Sequence, residues 1–136
     1  MKVFHMLAVA VGTMILGVGA VAAQEMTIEG AKVLLSTVPG TEGCAKPSAA
    51  PVIPDGSKVS EQGIKDAISA FQTYMADSET YRLCLDKVAS DAGDSLTDQQ
   101  NQAVTMVYDD NAAGVEALGA KMNEQIRAYN AAHPSK

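Results

Sequence analysis

The sequence predicts an all-α fold: an antiparallel two-helix hairpin, over about residues 60–92 and 97–131, strapped by an extended proline-rich segment and one disulfide. Three observations carry this expectation. Apolar and small residues alternate in steps of three and four along two long stretches free of proline, the pattern of a coiled-coil-like seam. Only a few residues around Ala92-Gly93-Asp94 separate those stretches, so the helices are expected to lie antiparallel. Cys44 and Cys84 make an even pair of thiols in a chain that begins like an exported one.

The chain opens with a single charge at Lys2, and from Met6 to Ala23 it is uncharged and almost wholly apolar. The run ends in small residues, with Val21 and Ala23 suitably placed for a cut before Gln24; a cut before Ala23 fits nearly as well. A positive start, an apolar stretch and a small-residue site define a secretory signal, so residues 1–23 are read as a cleavable signal peptide. An uncleaved anchor is the rival reading, since the stretch approaches the length that spans a bilayer. The small residues near its end and the absence of flanking basic residues speak against it. The expected location is periplasmic or secreted, with no membrane insertion after cleavage.

Composition then narrows the function. Without Lys2 the chain carries 9 basic against 16 acidic residues, a net charge of −7. An acidic chain with no basic cluster is a poor ligand for nucleic acid, which requires Lys and Arg to displace counterions. Trp is absent and Phe71 is the one Phe beyond the signal, so a thick core is not expected and a staple or partner is.

Residues 24–43 hold one short apolar patch, Val33 to Leu35, before the Pro39-Gly40 turn, and read as a flexible arm with room for one helical turn. A hairpin domain over 44–131 and a disordered tail over 132–136 complete the expected organisation. Pro47, Pro51 and Pro54 remove backbone donors and fix φ, so residues 44–58 read as an extended strap ending in the Pro54-Asp55-Gly56 turn. Ser60 is a good N-cap for the first long helix, whose seam includes Ile64, Phe71, Tyr74, Ser78, Tyr81 and Leu85. Gly93 is its natural stop. Thr97 and Gln100 form a capping box for the second, whose seam includes Val104, Tyr108, Asn111, Val115, Leu118 and Met122. Folding about Gly93 sets Tyr74 near Asn111, Phe71 near Val115 and Ile64 near Met122. Gly114 and Gly119 weaken this helix and invite close approach by the strap or a second subunit.

A distance argument pairs the cysteines. Cys44 lies 11 residues before Asp55, about 34 Å at roughly 3.1 Å per extended residue. Cys84 lies 24 residues after Ser60, about 36 Å along a helix at roughly 1.5 Å per residue. A strap that reverses at Pro54-Asp55-Gly56 therefore reaches Cys84, and Val52 and Ile53 are expected to cover the flank near Ile68 and Ile126.

Chemistry-bearing residues are few. His133 is the one histidine beyond the signal, near the C-terminus, so no Ser-His or Cys-His arrangement is expected. Two cysteines and one distant histidine do not make a zinc site, and no metal or cofactor is expected. Asp77 and Glu79 on the first helix and Asp109 and Asp110 on the second fall at mid-hairpin, where they read as a solvated face or as a patch for a cation or a basic partner.

Cys44 followed by spaced prolines and Pro-Asp-Gly, a long helix with Cys84 after Tyr81, and a second helix ending Arg-Ala-Tyr-Asn together resemble a group of small uncharacterised exported helical-hairpin proteins of Gram-negative bacteria. The resemblance covers about residues 44–130, implies a periplasmic setting and brings no catalytic residues. The expected function is that of a non-enzymatic envelope protein acting through helix-mediated contact with a second copy or an envelope protein partner. Ile68, Met75, Met106, Val107 and Ile126, beside the seam, supply the apolar surface for it. The alternative is a periplasmic binding module for a cation or a small apolar ligand.

Overall fold

The computed structural model describes residues 25–134, so the export signal expected over residues 1–23 lies outside it. The described chain is all-helical, and one disulfide joins Cys44 to Cys84 with their Cα atoms 5.5 Å apart. Three α-helices follow in order: α1 (Ile28–Leu35), α2 (Glu61–Ala92) and α3 (Asp98–Ala132). Short 3₁₀ turns at Thr41–Gly43 and Gly93–Ser95 bridge them.

The first helix corrects the expected architecture. Residues 28–38 are packed on the long helices and not a flexible arm, and the fold is not two helices alone. Thr27 caps α1 by accepting a hydrogen bond from the Gly30 amide at 3.1 Å. Ile28, Ala31, Leu35 and, beyond the helix, Val38 then recur at helical spacing. Ala31, Leu35 and Val38 are buried in one cluster with Tyr81 and Leu85 of α2 and Ala103, Val104 and Val107 of α3. An eight-residue helix has little stability of its own, so this burial is what holds it. Lys32 of α1 lies beside Asp110 and Thr37 beside Gln100, so α1 runs antiparallel to α3.

The long helices begin where their caps direct. Ser60 accepts from the Gly63 amide at 3.1 Å, and the Thr97–Gln100 capping box is formed in both directions. Gly93 terminates α2 with a positive φ of 49°. The pairing register, however, differs from a simple fold about Gly93. Asn111 is hydrogen-bonded to Ser78 and Arg82, and the Phe71 ring lies against Gly119, about one helical turn from the expected pairing with Tyr74 and Val115. Met122 packs with Ala67. The cause is the Gly93–Ser95 turn, which carries the chain across the helix ends and moves the reversal to Asp94–Ser95. Leu96, buried just after it, seals that end. Beyond α3, His133 stacks on Tyr129 at 4.3 Å.

Between Cys44 and α2 the chain has no regular structure until the turn at Gly56. Ile53 is buried against Ala67 and Met122 in a second cluster, with Ile68, Phe71, Leu118 and Ile126 around it. Its neighbour Val52 is 89 % exposed and covers nothing, because successive side chains of an extended segment point opposite ways. The turn is seated on α3: the Gly56 amide donates to Gln125 Oε1 at 2.9 Å. Ser57 donates to Asp55, and Lys58 lies beside it; those contacts, the Ser57 hydroxyl first, hold the Asp55 carboxyl below its ordinary range. A side chain at Gly56 has no room, since a β-carbon there would overlap the Gln125 carbonyl oxygen.

Two stability tests follow from these contacts. Gly56→Ala is expected to cost about 1–3 kcal/mol in urea unfolding, the range for forcing atoms into a packed site. Equal stability of variant and parent would show that the turn does not sit on α3. The bridge closes a loop of 40 residues, so replacing Cys44 and Cys84 together by Ser should cost roughly 4 kcal/mol on the chain-entropy account. Reduction of the parent should reproduce that loss, and an unchanged melting temperature on reduction would count against it.

Candidate functional site

The seam residues divide by depth. Ile64, Tyr81, Leu85, Val104 and Met122 are buried, while Phe71, Tyr74, Tyr108, Asn111, Val115 and Leu118 are half-buried. Buried residues therefore gather in two clusters, one under α1 and one under Ile53. Between them the seam is polar. Asn111 Oδ1 accepts from Arg82 Nη1 at 2.8 Å, and its amide donates to the fully buried Ser78 hydroxyl at 3.4 Å. The Arg82 guanidinium in turn lies 5.8 Å from the centre of the Tyr108 ring. A polar residue in a helical seam specifies register, and here one side chain ties both helices.

A cleft opens over this polar stretch. Cys44 is tied to α2 through Cys84 and shares the buried cluster of Leu35 and Val38, and beyond it the strap diverges from α1. One cavity of about 380 Å³ reaches from Lys32 and Tyr81 past Lys46 and Ser48 to Tyr74, Asn111 and Gly114. A second, of about 430 Å³, runs the other way between α1 and the start of the strap, toward Leu35, Thr41 and Cys44. Lys32, Lys46 and Tyr81 line both. Each volume lies in the lower part of the roughly 300–1,000 Å³ range of small-molecule sites.

The electrostatics of this cleft are set by a few groups. Lys32 Nζ lies 3.3 Å from Glu29 and 3.7 Å from Asp110. The hydrogen bond to Glu29 is the main cause that holds the ammonium above its ordinary pKa; partial desolvation opposes it, and Asp110 adds to it. Burial pushes the Tyr81 phenol up, against a smaller pull from Lys32, so the hydroxyl stays protonated and able to donate. Gly114 leaves the floor bare: a β-carbon there would meet nothing within 4 Å. Within this chain the strap does not close on Gly114, which faces open space, and Gly119 accommodates the Phe71 ring.

The four acids named at mid-hairpin lie on the surface: Asp77, Glu79, Asp109 and Asp110 are all exposed, and Asp110 is engaged by Lys32 of α1. Among the described residues no three carboxylate, cysteine or histidine side chains converge closely enough to hold a metal ion. Both cysteines are oxidised, and His133 sits exposed at the C-cap of α3. Of the residues that shape the cleft, Lys32, Lys46 and Ser48 escape a reading of the sequence. Each is unremarkable until α1 and the strap are laid side by side. A faint signal existed in the Thr27 cap followed by Ile28, Ala31 and Leu35.

Asn111→Ala should lower stability by about 1–3 kcal/mol, because it strips the partner from a fully buried Ser78 hydroxyl. Urea unfolding measures it, and a loss below a few tenths would remove Asn111 from the register. The chain matches no protein-family model, no curated protein and no solved structure.

Proposed function

We propose that this chain is a non-enzymatic, exported binding protein of the bacterial envelope that takes a small molecule in the cleft between α1 and the strap. In this reading the antiparallel α2–α3 pair is the scaffold, and the disulfide holds the strap as one wall. The observation that carries it is the cavity of about 380 Å³ at the place where the two apolar clusters fail to meet. A chain selected only for stability would fill that gap, since a packed interior is the more stable arrangement. Export rests on the signal sequence, and a disulfide suits the oxidising compartment it leads to. No helix among the described residues is long and apolar enough to cross a membrane.

Helix-mediated association with a second copy or an envelope partner is the second reading. Part of the apolar surface expected for it is covered, because α1 buries Val107 and packs near Met106. Met75 and Leu83 on α2, 41 % and 62 % exposed, favour it.

The two readings separate in one comparison. Ligand-observed NMR against a fragment library is expected to give hits that vanish in Gly114→Leu, whose new side chain enters the cleft from an open position. Gly to a good helix former also gains about 1 kcal/mol of helix propensity, so this variant should fold. Hits that persist in the variant, or none at all, overturn the cleft reading. Sedimentation showing a concentration-dependent oligomer would then favour association.

A further inference from the structure

Charge and shape within the cleft narrow what it can hold. The cavity over Tyr74 and Gly114 is lined by two ammonium groups, Lys32 and Lys46, and one carboxylate, Asp110. Its lining is therefore positive by one charge in a chain whose net charge is −6. The acids near the cleft are already committed. Asp110 faces Lys32, and Glu42 of the adjoining cavity accepts from the Gly40 amide at 2.9 Å. Lys32 is committed too, between Glu29 and Asp110. Lys46 differs from Lys32 within the cleft: like Lys121 elsewhere, it makes no ion pair among the described residues, whereas Lys32, Lys58, Lys65 and Lys87 each pair with a carboxylate. It stands on the rim shared by both cavities.

The neutral groups complete the picture. Tyr81 is only 5 % exposed, yet it lines both cavities. Among the described residues nothing bonds to its hydroxyl, and no buried polar side-chain atom is left unpaired, so that oxygen opens on the cleft. Ser48 adds a second hydroxyl from the strap. Around these donors stand the Tyr74 ring and Val107, over the bare backbone at Gly114. An ammonium with nearby hydroxyl donors binds a carboxylate through charge-assisted hydrogen bonds. Aromatic walls over an open glycine accept a flat apolar body.

We propose that the cleft binds a small organic monocarboxylate with a flat, mainly apolar body, its carboxylate held by Lys46 and the Tyr81 hydroxyl. This rests on the reading of the cleft as a binding site and goes beyond it by naming the chemistry. One uncommitted cation suits one negative charge; a phosphate ester or dicarboxylate would leave charge unanswered in a partly desolvated site. A cationic ligand would meet the same ammonium as a repulsion.

The full chain lacks Trp, so the fluorescence of an indole probe is free of protein background. Indole-3-acetate, its neutral analogue indole-3-acetamide and the cation tryptamine share one ring and differ in charge. Polarisation titrations are expected to rank acetate tightest and tryptamine weakest, with acetate binding weakened by added salt. Lys46→Gln should weaken acetate roughly tenfold or more, the size of a lost charge-assisted bond, and leave acetamide unchanged. Lys121→Gln, beside the Asp55 turn, should change neither. Gly114→Leu should abolish binding of every probe. If acetamide or tryptamine binds as tightly as acetate, or Lys46→Gln has no effect, the assignment of an anion is overturned. The cleft itself still stands in that case, provided Gly114→Leu removes the binding. No binding by any of the three at millimolar concentration overturns the ligand class, while the fragment screen decides the cleft.

Discussion

A covalent tie between residue 44 and residue 84 sets the geometry on which the other contacts depend. Two long helices packed side by side bury only one stripe each and leave a flank open to water. This chain covers that flank with two separate pieces, α1 over the turn end and the strap over the open end. Neither is stable alone: α1 is eight residues long, and the strap makes no regular hydrogen-bond ladder. The disulfide pins the point where one piece gives way to the other. Ordering of the strap then follows from two local anchors, the buried Ile53 and the Gly56 turn on α3. The loop-closure entropy removed by the bridge is of the order of the whole stability of a small domain.

The same arrangement explains why the interior is split. Side chains under α1 and under Ile53 form apolar clusters, but between them the seam presents Ser78, Asn111 and Arg82. These groups bond to one another, so the polar stretch is stable without being covered. Evidently the helices need no lid at this level. α1 leans on α3, the strap leaves it after Cys44, and the space between Lys32 and residues 46–48 is the cleft. Its chemistry comes from four segments: Lys32 from α1, Lys46 and Ser48 from the strap, the tyrosines from α2, and Asp110, Asn111 and Gly114 from α3. A cleft built this way depends on the disulfide as directly as the fold does.

Much of the local structure was legible because its causes are local. Ser60 and Thr97 start their helices because a hydroxyl satisfies amides three residues on, and Gly93 stops one by adopting a positive φ. The helix periodicity and the matching lengths of strap and helix were enough to pair Cys44 with Cys84. Register was less accessible. A residue count about Gly93 misplaced Tyr74 and Phe71 because the Gly93–Ser95 turn moves the reversal beyond Gly93, before the buried Leu96.

The amino-acid sequence by itself determined the all-helical class, the extents of the two long helices and the pairing of the cysteines. All three follow from propensity, caps and chain length, which act over a few residues or along one segment. Only the tertiary structure decided that residues 28–35 form a helix, since an eight-residue segment gains its stability from Ala103, Val104 and Val107 across the fold. Only the tertiary structure, again, placed Lys32, Lys46, Tyr81 and Gly114 around one cleft. Their meeting is a consequence of non-local packing under a covalent constraint, and no local pattern encodes it.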